Sequence, residues 1–299
     1  MLEETIFDEA VSVLSESYSR ALVARALARW QFGTEAAAKD ARDRLLAEFP
    51  DDFAADEYWT AAKRAKHCFR DFFTWGHDHD FGFGFCRAGA MASRHVEIAE
   101  EAIQYGLLPP SLNDKRVLNV GCWSGGDTLL LAGLGGSVVA IEEHCRSASS
   151  ARRLSELVGC DAVVETTSLY QDQPAWGSSF DLVYCSGVLY HVTDPILLLR
   201  ICFAYLRPGG QLLIETKAEA GSGSICSYAG SMVPGWNWFA PNREALGRLL
   251  VDCGFSPADI RLFRRPIGRL MASARKAGPT VLPETAGFSR PGSWLAGCV

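Results

Sequence analysis

The sequence of 299 residues contains no C-x-x-C pair among its ten cysteines, which lie at 68, 86, 122, 145, 160, 185, 202, 226, 253 and 298. A zinc site or disulfide framework therefore has no local support, and several of these cysteines sit inside apolar runs, as small core residues of a reducing compartment do. Neither G-x-x-x-x-G-K-[ST] nor G-x-G-x-x-G occurs anywhere, so P-loop phosphoryl transfer and nicotinamide hydride chemistry both lack their usual phosphate cradles. The longest apolar stretch, residues 182 to 206, is broken by His191, Asp194, Pro195 and Arg200, and no transmembrane span is expected. The start, MLEETIFDEA, is acidic where a signal peptide is basic and then apolar, which gives the expectation of a cytoplasmic protein. No internal repeat is visible. A formal net charge of −6 argues against a surface that embraces nucleic acid as a whole, though a local basic patch stays open. With 48% hydrophobic and 21% charged residues, the chain has apolar mass for one sizeable core plus a small second domain.

Residues 1–72 are rich in helix formers, with apolar positions at helical spacing in FDEAVSVLSESYSRALVARALARW, AAAKDARDRLLAEF and DEYWTAAKRAKHCFRDFF, which predicts a cap of three helices. Residues 73–110 comprise TWGHDHDFGFGFCRAG, a glycine, aromatic and histidine mixture without helical period that reads as a lid, followed by a connecting helix over about residues 91 to 105. From residue 111 to 276, short apolar runs (RVLNV, SVVAI, DAVVE, DLVYC, QLLIET) alternate with segments long enough for crossover helices. That alternation predicts an α/β fold, a doubly wound, Rossmann-like, mostly parallel sheet. Two closely spaced terminal runs, DIRLF and GRLMASARK, suit a last strand running antiparallel at or near the sheet edge. Residues 277–299 read as an irregular tail.

In RVLNVGCWSGGD, residues 116 to 127, a strand leads directly into a glycine-rich turn and then a helix. Gly121 and Gly125 carry no Cβ, so the backbone there can approach a ligand closely. Glu142 closes the next strand about twenty residues on, where an acid can take both hydroxyls of a ribose.

The turn resembles motif I of class I S-adenosylmethionine (SAM) methyltransferases, [DE]-x-G-x-G-x-G, with Asn119 in place of the acid and Trp123 in place of the middle glycine. SSFDLVYCSGVLYHVTDP (178 to 195) resembles the fourth strand and its loop in these enzymes, and LRPGGQLLIETK (206 to 217) the turn before their fifth strand. More narrowly, GVLYH, MVPGWNWFAPN and GRLMASARK resemble the tRNA wobble-uridine carboxymethyltransferase subfamily, although its lysine-bearing loop has no counterpart here. The resemblance implies a seven-stranded sheet with SAM as cofactor. Gly121, Ser124 and Gly125, with Asn119 and Trp123 nearby, are then expected at its methionine and ribose side, Glu142 at the ribose, and Ser168 and Leu169 at the adenine. Ser186, Tyr190 and His191 are implied to face the sulfonium and acceptor, and the subfamily uses the tyrosine and arginine matching Tyr190 and Arg269 to hold a cofactor carboxylate.

Other residues leave alternatives open. Trp75, with Phe72, Phe73, Phe81, Phe83 and Phe85, either cages a cation or pins the lid to the core. His191 suits a general base near neutrality, and an ordinary packing role is equally compatible. His77, His79 and Asp80 lack a second ligand cluster, so no metal is expected. The basic C-terminal segment (Arg243, Arg248, Arg261, Arg264, Arg265, Arg269, Arg275, Lys276) reads as a solvated face with one inward arginine rather than an RNA patch. The expected function is methyl transfer from SAM to a small-molecule acceptor. Two alternatives stay open: methyl or carboxymethyl transfer to tRNA, and intramolecular cyclisation of the methionine moiety with release of methylthioadenosine.

Overall fold

The computed structural model describes residues 7–53, 72–171, 173–230 and 237–278. In chain order, the N-terminal part supplies β1 (Asp8–Glu9), α1 (Glu16–Ala28) and α2 (Glu35–Glu48). The lid contributes β2 (His79–Asp80) and β3 (Cys86–Arg87), and α3 (Arg94–Gln104) follows. Next come β4 (Arg116–Val120), α4 (Gly126–Gly133), β5 (Ser137–Glu142), α5 (Cys145–Val158) and β6 (Val163–Thr166). The second half holds β7 (Phe180–Ser186), α6 (Pro195–Tyr205), β8 (Leu206–Lys217), β9 (Cys226–Tyr228) and β10 (Phe239–Pro241). It ends with α7 (Arg243–Asp252), β11 (Ile260–Arg265) and β12 (Arg269–Arg275).

The main sheet runs β1-β11-β12-β8-β7-β4-β5-β6. Strands β4 to β8 pair in parallel, and β12 is antiparallel to both β8 and β11. This is the expected seven-stranded, mostly parallel sheet, with β1 added at the edge. The order turns back on itself between β7 and β4, where Asn119 stands beside Tyr184. Such a switch point opens a crevice at the carboxyl ends of the strands, because the chain leaves the two strands toward opposite faces.

Both faces of the sheet are covered, as a parallel sheet requires. Leu118, Val120, Val183 and Cys185 point toward Leu198, Leu199 and Cys202 of α6 and Leu246 and Leu250 of α7. Their neighbours Val117, Leu182, Tyr184 and Leu213 face α1, α3, α4 and α5 through Val23, Ile103, Leu131 and Ala148. A third cluster joins Ala38, Ala41 and Leu45 of α2 to Phe73, Trp75 and Phe81 of the lid and Leu154 of α5.

The expected first helix is shorter than its sequence period suggests. Ser15 caps α1 by accepting from the Tyr18 N–H at 3.2 Å, and the residues before it extend toward the sheet instead. Asp8 and Glu9 pair with Arg261 and Leu262, and Phe7 is buried, so pairing at the sheet edge overrides local helix preference. The expected third helix falls mostly outside the described residues, as does nearly all of the expected tail. The lid is more regular than its composition suggests: β2 and β3 form a two-residue antiparallel hairpin across Gly82, Phe83 and Gly84, all with positive φ. Strands β9 and β10 form a second small hairpin within what reads as loop sequence.

Helix α1 is clamped to α4 by Arg29 Nη1 and Trp30 Nε1, which donate to the carbonyls of Gly133 and Leu129 at 3.0 and 2.8 Å. A Cβ at Gly133 would stand 2.3 Å from the Ala26 carbonyl oxygen. Alanine should gain roughly 1 kcal/mol of helix propensity over glycine, but overpacking costs typically 1–3 kcal/mol and here meets backbone, which cannot rotate away. Gly133→Ala is therefore expected to lower stability in denaturant titration. A stabilised variant would contradict the close helix contact.

Candidate active site

The crevice is built from the turn between β4 and α4. Gly121 adopts φ of 72°, and a Cβ on it would stand 2.5 Å from Val188 Cγ2, so the loop after β7 lies directly on this turn. Trp123 is left-handed without being glycine, at φ 48°. That conformation costs an L residue about 1–2 kcal/mol, and three contacts hold it here. Its N–H donates to Glu142 Oε2 at 2.9 Å, its indole Nε1 donates to the Thr74 carbonyl at 3.0 Å, and its ring lies against Gly76 of the lid.

Glu142 sits at the carboxyl end of β5 with each carboxylate oxygen accepting one backbone N–H, from Trp123 and from His144, both at 2.9 Å. Burial raises its pKa, and these two bonds oppose the shift. A carboxylate oxygen accepts more than one hydrogen bond, so both retain capacity for a vicinal diol. The partly exposed position, the orientation fixed by two N–H groups and this spare capacity together fit a ribose. On the neighbouring edge, the Ser168 hydroxyl donates to Glu143, while Leu169 is buried against the core beside Ile141.

Ser124 and Asn119 are turned inward. Ser124 is buried and accepts from the Gly76 N–H at 2.8 Å, tying the lid to the turn. Asn119 Nδ2 donates to Thr128 Oγ1 at 3.0 Å, and Gly125 is the N-cap residue of α4. Trp75 is buried in the lid core, with the Arg87 guanidinium 5.3 Å from its ring centroid. Its backbone N–H donates to Asp51 at 2.6 Å, and Asp51 also pairs with Arg87 at 2.8 Å.

Across the crevice, Ser186 ends β7, and Tyr190 and His191 follow in a short 3-10 turn with ring centroids 4.0 Å apart. The Arg269 guanidinium lies 4.8 Å from the Tyr190 ring centroid. It is held there by Glu215, which accepts from Arg269 Nε at 2.7 Å and also from Nη2. Glu215 is fully buried, and Arg265 bridges it to Glu101. The structure thus groups Gly121, Trp123, Glu142, Ser186, Tyr190 and Arg269 around the carboxyl ends of β4, β5 and β7 and the amino end of the antiparallel β12. It buries Asn119, Ser124 and Trp75 behind them, where they brace the turn and lid, and Leu169 in the core cluster shared with α6.

Glu215, Tyr184, Asp127 and Val188 also shape this site and are not singled out by the sequence motifs. Glu215 has a usable signal, a charged residue inside the apolar run LLIETK, which demands a buried partner. Asp127 has only a misleading one, since an acid in the first turn of a helix is ordinarily explained by the helix dipole.

A family model described as "Methyltransferase domain" matches residues 92–257. The chain is 34% identical over 151 residues to a tRNA U34 carboxymethyltransferase of Saccharophagus degradans, covering 49% of this chain and 46% of that protein. It is 38% identical over 109 residues to a ubiquinone biosynthesis O-methyltransferase of Xanthomonas campestris pv. campestris, covering 36% of this chain and 44% of that one. The chain spans about half the length of the curated relatives it matches. Among solved structures, the N-terminal domain of EvdMO1, crystallised in the presence of SAH and D-fucose, superposes with a TM-score of 0.51 at 20% identity. That match covers 75% of this chain and 97% of that one, and at this identity it establishes the shared fold.

The lid rests on three imidazoles, those of His79 and His95 buried and that of His77 partly buried with its Nδ1 shielded from solvent. The His77 and His95 rings meet at a tilt with centroids 4.5 Å apart and His79 packs edge-on against Phe81, and desolvation lowers the pKa of both His77 and His79 to about 4. His77 Nδ1, His79 Nε2 and His95 Nδ1 have no hydrogen-bond partner among the described residues. Unfolded histidine titrates near 6.5, so between about pH 6.5 and 4 the unfolded chain binds protons that the folded lid refuses, and stability falls as pH falls through that window. Tryptophan fluorescence should report lid loosening there, with His77→Phe flattening the dependence. An unchanged profile in that variant would contradict the neutral state.

Proposed function

Since the chain belongs to the SAM-dependent methyltransferase family, we propose that it transfers the SAM methyl group to a small-molecule acceptor bound under the lid. Bound SAM supplies an electrophilic methyl on a sulfonium. In-line displacement at that carbon needs no enzyme nucleophile, so the chain's task is to orient the reactants and exclude water. Glu142 would hold the ribose hydroxyls, and the turn at Gly121 would receive the cofactor against backbone. Tyr190 and Ser186 would face the reacting groups from the other wall, with Tyr190 kept in place by Arg269.

One observation carries the preference for a small acceptor over tRNA: five of the eight cations of the basic C-terminal segment are engaged by partners within the protein, and Arg261, Arg264 and Arg275 are the exposed remainder. Arg265 and Arg269 are committed to Glu215, Arg248 pairs with Glu244 at 2.8 Å, and Arg243 donates to the Phe7 carbonyl at 2.9 Å. Lys276 Nζ donates to the carbonyls of Phe203 and Leu206 at 3.0 and 2.7 Å. Phosphate binding draws on cations that are free to release counterions, and these are not presented as a continuous face.

A second reading has its own support. Trp123, standing where the motif has glycine, is roofed by Thr74 and Gly76 at the turn that would receive the methionine side of SAM. A site that admits no external acceptor suits self-alkylation, in which the methionine amino group attacks its own γ-carbon and methylthioadenosine leaves. Incubation with SAM alone, followed by mass spectrometry, separates the readings. SAM that stays intact until a metabolite mixture is added, with S-adenosylhomocysteine then appearing, is the expected result. Methylthioadenosine formed without acceptor would replace methyl transfer by cyclisation, and S-adenosylhomocysteine formed only with tRNA would overturn the small acceptor.

A further inference from the structure

Beneath the crevice lies a buried polar pair, Tyr184 and Asp127, that none of the binding roles above uses. Tyr184, fully buried on β7 beside Asn119, donates its hydroxyl to Asp127 Oδ1 at 3.2 Å. Ser186, two residues further on the same strand and therefore on the same face of the sheet, lies beside the Tyr184 hydroxyl and favours its ionised form against the effect of burial. Ser186 is partly exposed at the carboxyl end of β7, whereas Asp127, in the first turn of α4, is buried. One line of hydroxyls therefore runs from the crevice wall to a carboxylate shielded from water.

We propose that Ser186, Tyr184 and Asp127 form a relay that removes the proton released when the nucleophile is alkylated, with Asp127 as its terminal acceptor. The proposal rests on the alkyl-transfer reading. As the nucleophile–carbon bond forms and the sulfonium–carbon bond breaks, the nucleophile's proton passes to Ser186 Oγ. The serine proton moves to the Tyr184 oxygen, the tyrosine proton moves to the Asp127 carboxylate, and the sulfonium leaves as a neutral thioether. The positive charge of the cofactor is thereby matched by the negative charge lost at Asp127. Ser186 touches the reacting nucleophile, and Tyr184 and Asp127 act through it.

The electrostatics suit a proton acceptor working near neutrality. Burial raises the Asp127 carboxyl to about 7, the Tyr184 hydrogen bond pulls it down, and the charge of Glu215 on β8 pushes it up. From the turn before α4, Cys122 also faces it, but burial pushes that thiol up and keeps it protonated. Carboxylates of ordinary pKa would be too weakly basic for the task, since general-base efficiency is greatest when the group titrates near the working pH.

The test uses the full chain with Asp127→Asn and Tyr184→Phe, each of which preserves shape. Three quantities are read: SAM affinity by calorimetry, the pH profile of kcat for SAM consumption, and the Asp127 carboxyl carbon followed by NMR titration. In the wild type, kcat should rise with pH through about 7 as Asp127 ionises, and the carboxyl signal should titrate in the same range. Both variants should bind SAM as the wild type does, lose about 100-fold in kcat and lose the rise with pH, within the usual reach of general-base catalysis. A variant that keeps both the rate and the pH limb would overturn the relay, as would an Asp127 carboxyl that titrates like an ordinary aspartate. Wild-type protein that binds SAM but never consumes it would instead overturn the alkyl-transfer reading, and the relay with it, while the carboxyl titration would still register the buried pair.

Discussion

The parallel pairing of β4 with β7 is the constraint from which the site follows. It places Asn119 beside Tyr184 and sends the chain from the two strands toward opposite faces, so that a crevice opens where no main-chain crossover can close it. Around that opening, side chains of one sheet face converge as the strands end. Tyr184 and Ser186 come from β7, Glu215 from β8 and Arg269 from β12, with Ser186 in register with Glu215. The helix leaving β4 then brings Asp127 and Thr128 down onto the same row.

Closing this row with polar groups is costly unless each finds a partner, because a buried ion left alone loses its hydration without compensation. The network meets that demand by pairing. Glu215 is matched by two arginines, the second of which is matched in turn by Glu101 of α3. The pairing also couples the edge strands to the helix that follows the lid, so the position of Tyr190 depends on packing on both sides of the sheet. The lid is joined to the turn differently, through backbone: Gly76 to Ser124, and Thr74 to the Trp123 indole.

These differences explain what the sequence discloses. The strand–turn–helix around Gly121 and the acid at Glu142 are legible because their constraint is local, a left-handed turn and a fixed spacing to the end of the next strand. The switch from helical period to alternating strands at about residue 111 likewise declares the sheet. The lid's attachment is not legible, since the lid contributes one backbone carbonyl and one backbone N–H, groups that carry no residue code, to partners 49 and 48 residues away in sequence. Nor is β1, whose two residues pair with β11 through main chain. The C-terminal arginines show the intermediate case. Composition counts them as a basic segment, and only the β11–β12 register, with Arg265 opposite Arg269, decides that two of them turn inward to one glutamate.

The claim that this crevice is a SAM site rests most directly on Glu142. Calorimetric titration with SAM should give single-site binding to the wild-type chain and at least a tenfold loss in Glu142→Ala, corresponding to about 1.4 kcal/mol or more, with the fold of the variant verified by thermal denaturation. A folded Glu142→Ala protein that binds SAM as tightly as the wild type would contradict the placement of the cofactor at the β4–β5 end of the sheet.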